Sequence, residues 1–325
     1  MGTASDPGSQ SSSSSSGVMA RVKRAPWYRE LLDFWTKVNN DWIFNLAGLL
    51  AYNLIVALVP LLIVVLGSVG LFLGRQSPEA LERLKESIIT FLPPGIGVDE
   101  LVDAVITSLQ NSAGILLVIG LVTAFFAGTR LFIAVENCFS IIFRLPSRDA
   151  IWQNIMAFGM LTLYVLLIVA LSFISLFPAQ NLGVNDAFRN SIIGGAALTI
   201  VRWVVSLLVI TLVLAILYTL VPNRPLPEHL WRSIWRGTLV AAFLVFLFEL
   251  LFPLIQAIFL QAGGYGAAAA FAIVILFFLY YLALIVLLGA EVNSWAAGQR
   301  ATKYDLPGLL LEADQKNPES AKLPR

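Results

Sequence analysis

Charged residues, cysteine and histidine are all scarce in this chain of 325 residues. Only 13% of its residues are charged, whereas a soluble domain has about 25%. The single cysteine, Cys138, excludes an intramolecular disulfide and a thiolate metal cluster. The single histidine, His229, excludes a histidine-rich metal centre, and a net charge of +1 without a basic run argues against nucleic-acid binding. We therefore expect no metal, no cofactor and no nucleic-acid partner.

Long apolar segments are what the chain has instead, since 58% of its residues are hydrophobic. The segments exceed the length of about 18 residues at which an apolar run indicates a membrane span. They cover residues 43–74, 113–143, 152–178, 191–221, 237–262 and 266–298. Some are longer than a bilayer requires, so tilt or kinks are expected, the kinks at Pro60 and Pro253. The sequence predicts an all-α, polytopic integral membrane protein with six transmembrane helices, whose first partner is the lipid bilayer.

The segments outside these spans differ from one another. Residues 1–26 are rich in serine and are expected to be a disordered tail, and 299–325 form a second tail. Residues 27–42 are expected to form an interfacial amphipathic helix. Its apolar face comprises Trp27, Leu31, Phe34, Trp35 and Val38. Residues 75–112 are expected to form an extracytoplasmic cap of two amphipathic helices, the first capped by Ser77 and the second capped by Asp99.

The basic residues predict the orientation. Most of the 21 Lys and Arg residues fall in the N-terminal region, in 144–151, in 222–236 and in the C-terminal tail. All four regions lie on the same side of a six-span bundle. Because positive charge is enriched on the cytoplasmic side, both termini are predicted to be cytoplasmic.

Four charged residues fall inside the predicted spans, namely Arg130, Glu136, Arg202 and Glu249. A charge at the bilayer centre costs at least about 2.5–3.5 kcal/mol on insertion scales, so each one needs a reason. Arg130 and Glu136 are six residues apart and point in different directions, so partners on other helices are expected. Glu249 matches Arg130 or Arg202 best in depth. The charges either form buried ion pairs that fix helix register or line a polar pathway for a charged or zwitterionic solute.

Two further polar residues leave alternatives open. Asn53 precedes Pro60 in the first span, where its amide could line a cavity or form an interhelical hydrogen bond. Glu291 lies near the cytoplasmic end of the last predicted span. Composition alone favours a solvated helix end at this position.

Three stretches resemble the YihY/BrkB family of bacterial inner-membrane proteins: "LAGLLAYNLIVALVPLL", "LYTLVPNRPLP" and "YGAAAAFAIVILFFLYYLALIVLLGAEVN". The resemblance covers about residues 27–298 and implies six membrane helices in the inner membrane. The family's elements fall on Ala51, Tyr52, Pro60, Tyr218, Pro222, Asn223, Arg224, Tyr265, Gly266, Gly289, Ala290 and Glu291. The chain departs from the family at Ser140, where asparagine is frequent, and at Phe278, where tryptophan is usual.

The function expected from these features is transport or export of a small or amphipathic solute. No ATP-binding motif is present in the sequence, so such transport would be passive or ion-coupled. A non-transporting scaffold or envelope-assembly factor is the alternative, and a lipid-modifying membrane enzyme is a weaker one. Some members of the family were formerly named ribonuclease BN. Metal-dependent RNA cleavage needs clustered His, Asp and Glu ligands, which one histidine in a short basic loop does not supply, so the protein is not expected to be a ribonuclease. A protein that is not an enzyme is the preferred expectation.

Overall fold

The computed structural model describes residues 26–73, 98–175, 192–223, 230–261, 267–303 and 305. Within these ranges the chain forms seven α-helices and no strand. They are α1 (Pro26–Asn40), α2 (Ile43–Leu73), α3 (Val98–Phe143), α4 (Ala150–Ser175), α5 (Ile192–Leu220), α6 (Leu230–Gln261) and α7 (Ala267–Ala296). The predicted all-α class is confirmed. The serine-rich tail, the first predicted cap helix and nearly all of the C-terminal tail lie outside the described residues.

Helices α3 to α7 each contain a stretch long and apolar enough to cross a membrane. Residues 28–40 and 43–58 pass the same test together, which makes a sixth candidate if they form one broken span. Helix α2 carries Pro60 in its interior and α6 carries Pro253. An α-helix satisfies its own backbone hydrogen bonds, so this architecture suits a lipid environment.

Helix α3 differs from the prediction because its 46 residues are continuous. The second predicted cap helix and the second predicted span are therefore one helix. The segment between Leu109 and Ile115 contains no proline and only one glycine, Gly114. A single glycine weakens a helix by about 1 kcal/mol but does not end it, so the helix continues through this segment. The polar residues 110–112 make its surface polar there without breaking it.

Residues from Phe44 to Ala296 form one compact unit, in which α3 to α7 follow one another around a ring. Helix α3 packs on α4 and α7, and α6 packs on α5 and α7. The Tyr164 hydroxyl of α4 donates to the Val213 carbonyl of α5 at 2.7 Å, and this bond joins α4 to α5. Helix α2 approaches α3 where Ile63 meets Gly120.

The other compact unit consists of the residues up to Ile43 and those from Ala297 onward. Helix α1 leaves Leu31 and Trp35 more than half exposed. Its location in the headgroup region stays a prediction. Lys37 is completely buried, and its Nζ donates to Asp41 Oδ2 at 2.7 Å. The Asn40 amide donates to the Thr302 carbonyl at 2.8 Å and so ties α1 to the segment that follows α7.

Candidate functional site

Buried polar residues collect at one end of the ring, where α3, α5 and α7 end and α6 begins. They are Glu136, Ser140, Thr238, Glu291, Asn293 and Ser294, each at most 6% exposed. Together with Arg148 we call them the terminal polar cluster. Buried polar groups require hydrogen-bond partners, so each one constrains how the helix ends fit together.

The end of α3 is fixed by a Schellman motif. Arg144 has a left-handed backbone with φ of 51°, its N–H donates to Ile141 O, and the Leu145 N–H donates to Ser140 O. The Ser294 hydroxyl of α7 donates to Ile142 O at 2.8 Å. The bond gives a donor to a carbonyl that would otherwise have no partner at the end of the helix, and it ties α7 to α3.

Arg148 joins three segments from the loop between α3 and α4. Its Nη1 lies 2.8 Å from Glu136 Oε1 and 2.6 Å from the Val221 carbonyl. Its Nη2 donates to the carbonyls of Pro222 at 3.3 Å and Leu220 at 3.4 Å. Because carbonyls at a helix C-terminus carry partial negative charge, one guanidinium both neutralises Glu136 and caps α5.

Helices α6 and α7 touch backbone to backbone in the terminal polar cluster. The Gly237 N–H donates to Asn293 Oδ1 at 2.6 Å. A Cβ on Gly237 would collide with the Gly289 carbonyl, and a Cβ on Gly289 would collide with the Tyr218 hydroxyl and Ala241 Cβ. Only glycine at both positions permits this approach, a common device for packing helices in membranes.

Tyr218 of α5 fills the centre of the ring at this end. The side chain is fully buried, and its hydroxyl donates to the Val286 carbonyl at 2.7 Å. Its ring centroid lies 5.6 Å from that of Phe139 of α3. An aromatic pair and a hydrogen bond therefore fill the space between α3, α5 and α7 at this level.

Three buried polar atoms of the terminal polar cluster have no hydrogen-bond partner among the described residues: Glu136 Oε2, Ser140 Oγ and Asn293 Nδ2. An unsatisfied buried group costs about 1–3 kcal/mol, so water is the natural partner at such positions. Among the described residues, no group of three His, Cys, Asp or Glu could hold a metal ion. The terminal polar cluster is thus tightly packed, and three of its polar atoms can still accept or donate a hydrogen bond.

Burial along α6 changes with distance from the terminal polar cluster. Thr238, Ala242 and Val245 share one face and are 0, 0 and 6% exposed. Glu249 continues the same face and is exposed. Helix α5 shows the same gradient, because Tyr218 and Leu214 are buried, Leu207 is half-buried and Val204 is 51% exposed. The described residues are packed at the terminal polar cluster and are less buried beyond Val245 and Leu207, and we call that less buried region the open half.

Glu249 points between α5 and α7. Phe246 contacts Trp203 of α5, and Phe252 contacts Phe278 of α7. At about 100° per residue, Glu249 lies about 60° from each of these phenylalanines and between them. The carboxylate therefore faces the inside of the ring, in the open half.

Arg130 points the other way. Gly128 contacts Leu161 of α4, and the Phe132 ring contacts that of Tyr164 of the same helix. Arg130 is two residues from each and so about 160° around α3 from both, and its side chain is exposed. Among the described residues neither Arg130 nor Glu249 forms an ion pair, so the expected pairing of the two is absent. The side chain of Arg202 is outside the described part.

Three other sequence expectations have a clear outcome. Glu136 does have a partner on another segment, but it is the loop residue Arg148. Glu291 is completely buried, so a solvated helix end is wrong. The Asn53 amide donates to the Leu49 carbonyl of its own helix at 2.8 Å, which is neither a cavity contact nor an interhelical bond.

The family elements divide by location. Tyr218, Pro222, Gly289, Ala290 and Glu291 are all buried in the terminal polar cluster or beside it. The Asn223 amide donates to the Pro146 carbonyl at 3.1 Å across the two loops at that end. Ala51 is buried in α2, Tyr52 is 66% exposed and Pro60 is half-buried. Arg224, Tyr265 and Gly266 lie outside the described residues.

Sequence reasoning missed Arg148, Gly237, Asn293 and Ser294. Arg148 was counted among the loop arginines that set orientation, since nothing local distinguishes it from its neighbours. Gly237 and Ala241 form a small-residue pair four apart, a pattern that does indicate helix contact in membranes. That signal could have located the contact between α6 and α7.

Comparison with known proteins adds one match. The family model described as Virulence factor BrkB matches residues 34–309. No curated protein and no solved structure matches the chain. The matched range includes α2 to α7 and all of the terminal polar cluster. The chain therefore belongs to the BrkB virulence factor family.

Proposed function

We propose that this protein transports a small or amphipathic solute across the bacterial inner membrane. The observation that carries the proposal is the burial gradient that ends at Glu249. A ring of helices whose described residues are packed at one end and more exposed toward its middle, with an inward-facing carboxylate where the packing stops, has the form expected of a transporter that opens to one side.

The proposed orientation places the terminal polar cluster on the cytoplasmic side. Arg144 and Arg148 lie in the loop at that end, and Arg236 lies near the start of α6. Basic loop residues favour the cytoplasmic face of a membrane protein. The open half then faces outward, and both termini are cytoplasmic.

A specific observation also favours the scaffold alternative. The glycine contact between α6 and α7 and the Arg148 bonds make the packed end rigid, and rigidity is all that a scaffold requires. The two functions differ at Glu249, because a scaffold has no use for a charged residue exposed inside its ring. No catalytic role is assigned to the acidic residues in either proposal.

Glu249→Gln tests the proposal. Because Glu249 is exposed and makes no ion pair within the described residues, the substitution should leave protein abundance and Tm unchanged. The solute content of cells that carry E249Q should resemble that of a deletion strain, as measured by untargeted mass spectrometry against the complemented parent. Lys37→Gln, which breaks the ion pair with Asp41 instead, is a control for general loss of stability. Wild-type solute content in E249Q cells, or loss of the protein from the membrane, would contradict transport through this site.

A further inference from the structure

The chemistry around Glu249 indicates which solutes the open half would accept. We propose that it binds amphipathic organic cations, with Glu249 as the counter-charge and the neighbouring aromatic rings as the apolar wall. This inference rests on the proposed function for its location and goes beyond it by naming a ligand class.

The first step concerns which of the two mid-depth charges faces the interior of the ring. Arg130 and Glu249 lie at similar depths. Ser294 of α7 bonds Ile142 of α3, and Arg130 precedes Ile142 by 12 residues, so Arg130 is level with the residues of α7 about 12 before Ser294. Phe248 and Phe252 on either side of Glu249 both contact Phe278. Both charges are therefore level with the middle of α7. Of these two described charges, only the carboxylate faces inward. The described charges therefore give the interior of the ring a negative potential at mid-depth, which attracts cations.

The second step is the aromatic wall. Phe248 stacks on Phe278 with ring centroids 5.4 Å apart and on Tyr281 at 6.1 Å. Phe252 meets Phe278 at 4.7 Å. Phe252 is three residues from Glu249 and thus its neighbour on the helix surface, and it is half-buried. Aromatic faces attract cations and also bury apolar substituents, so carboxylate and rings together favour an organic cation over a hydrated metal ion.

The third step concerns location in the membrane. An unpaired carboxylate at mid-depth is costly, and the cost falls when a cation binds beside it. A hydrophilic cation pays heavily to leave water, whereas one with bulky apolar groups pays less. The site therefore favours amphipathic cations such as quaternary ammonium or phosphonium compounds.

The test uses two ions of nearly equal shape and opposite charge, tetraphenylphosphonium and tetraphenylborate. Binding to the full-length protein is measured by equilibrium dialysis in nanodiscs of zwitterionic lipid, with empty nanodiscs subtracted. Wild-type protein should bind the phosphonium, Glu249→Gln should raise Kd about tenfold, and Glu249→Asp should restore most of the affinity. Phe252→Leu should raise Kd about threefold, since it removes the π face and keeps an apolar side chain.

Arg130→Gln is the matched control, because Arg130 lies at a similar depth but faces away from the ring. It should leave the phosphonium Kd unchanged. Equal affinity of E249Q and wild type, or equal binding of both ions, would overturn the inference. If wild-type protein fails to bind but Arg202→Gln binds, the carboxylate is already neutralised and the inference is wrong.

Flux measurements separate this inference from the proposed function. Phosphonium binding without uptake above that of protein-free liposomes would support the site and contradict transport. A solute difference that depends on Glu249 in cells, without phosphonium binding, would support transport and contradict the ligand class.

Discussion

Arg148 and Glu136 are joined across the α3–α4 loop, with Nη1 2.8 Å from Oε1. The carboxylate is completely buried, whereas the guanidinium side chain is 18% exposed. This asymmetry has energetic consequences. Removing the arginine leaves a buried charge, but removing the carboxylate leaves an arginine that still bonds three carbonyls of the α5 terminus and reaches water.

We therefore expect Arg148→Gln to destabilise the protein more than Glu136→Gln. Loss of the partner of a buried carboxylate costs about 3–5 kcal/mol, whereas loss of one hydrogen bond costs about 1 kcal/mol. Thermal unfolding of the purified protein in detergent measures both variants. The double variant supplies the coupling energy of the pair. A larger Tm loss in E136Q than in R148Q would show that the hydrogen bonds from Arg148 to the α5 carbonyls do not hold the arginine in place without Glu136.

Cys138 provides a reporter of opening at the packed end, because it is the single cysteine and is completely buried two residues after Glu136. Labelling by N-ethylmaleimide should be slow in the wild-type protein. Arg148→Gln should speed labelling several-fold by releasing the loop from α5, since local opening governs access to buried groups. Mass spectrometry of the intact protein follows the reaction. Fast labelling of the wild type would mean that the end beside Tyr218 is open in solution.

The glycine contact predicts a contrast between equivalent substitutions. Gly237→Ala and Gly289→Ala each place a methyl group against backbone or buried side-chain atoms and should cost about 1–3 kcal/mol. Gly159→Ala in α4 meets nothing within 4 Å and should stabilise the helix by up to about 1 kcal/mol. Tm values of the three variants decide the matter. Equal Tm values would contradict the close approach of α6 and α7.

Arg144 has a left-handed backbone, so a substitution to glycine is expected to raise the Tm relative to a substitution to alanine. A side chain in this conformation costs about 1–2 kcal/mol, which glycine avoids. Arg144→Gly should therefore have a higher Tm than Arg144→Ala, although both lose the guanidinium. The alanine variant is the control for the lost side-chain interactions. An equal or higher Tm for R144A would indicate that the Schellman turn is not formed.

Much of the fold could be predicted from the sequence because lipid imposes a single dominant requirement. A long apolar run must be helical in a bilayer, so composition alone located the six segments that became α2 to α7. Helix ends were harder. Helix α3 extends through Gly114 into a polar segment, and no local signal there separates a surface helix from the continuation of a span.

The candidate site could be predicted only in part, because its contacts join residues far apart in the chain. Glu249 and Glu136 stood out as charges within apolar runs. The direction of Glu249 depends on how α5 and α7 flank α6, which a single segment does not reveal. Arg148 is one of several loop arginines, and only the fold shows that its loop meets the end of α5.

The backbone contact at Gly237 and Gly289 also limits how this protein can move. The hydrogen bond from the Gly237 N–H to Asn293 Oδ1 holds the two helices together where their backbones meet, so α6 and α7 would move as one body. Any alternation of access would then have to come from α5, which is held at its C-terminal end by Tyr218 and Arg148 and whose described residues become more exposed toward the opposite end. In the proposed transporter, breaking the contacts of Tyr218 and Arg148, more than any event at Glu249, would set the rate of turnover.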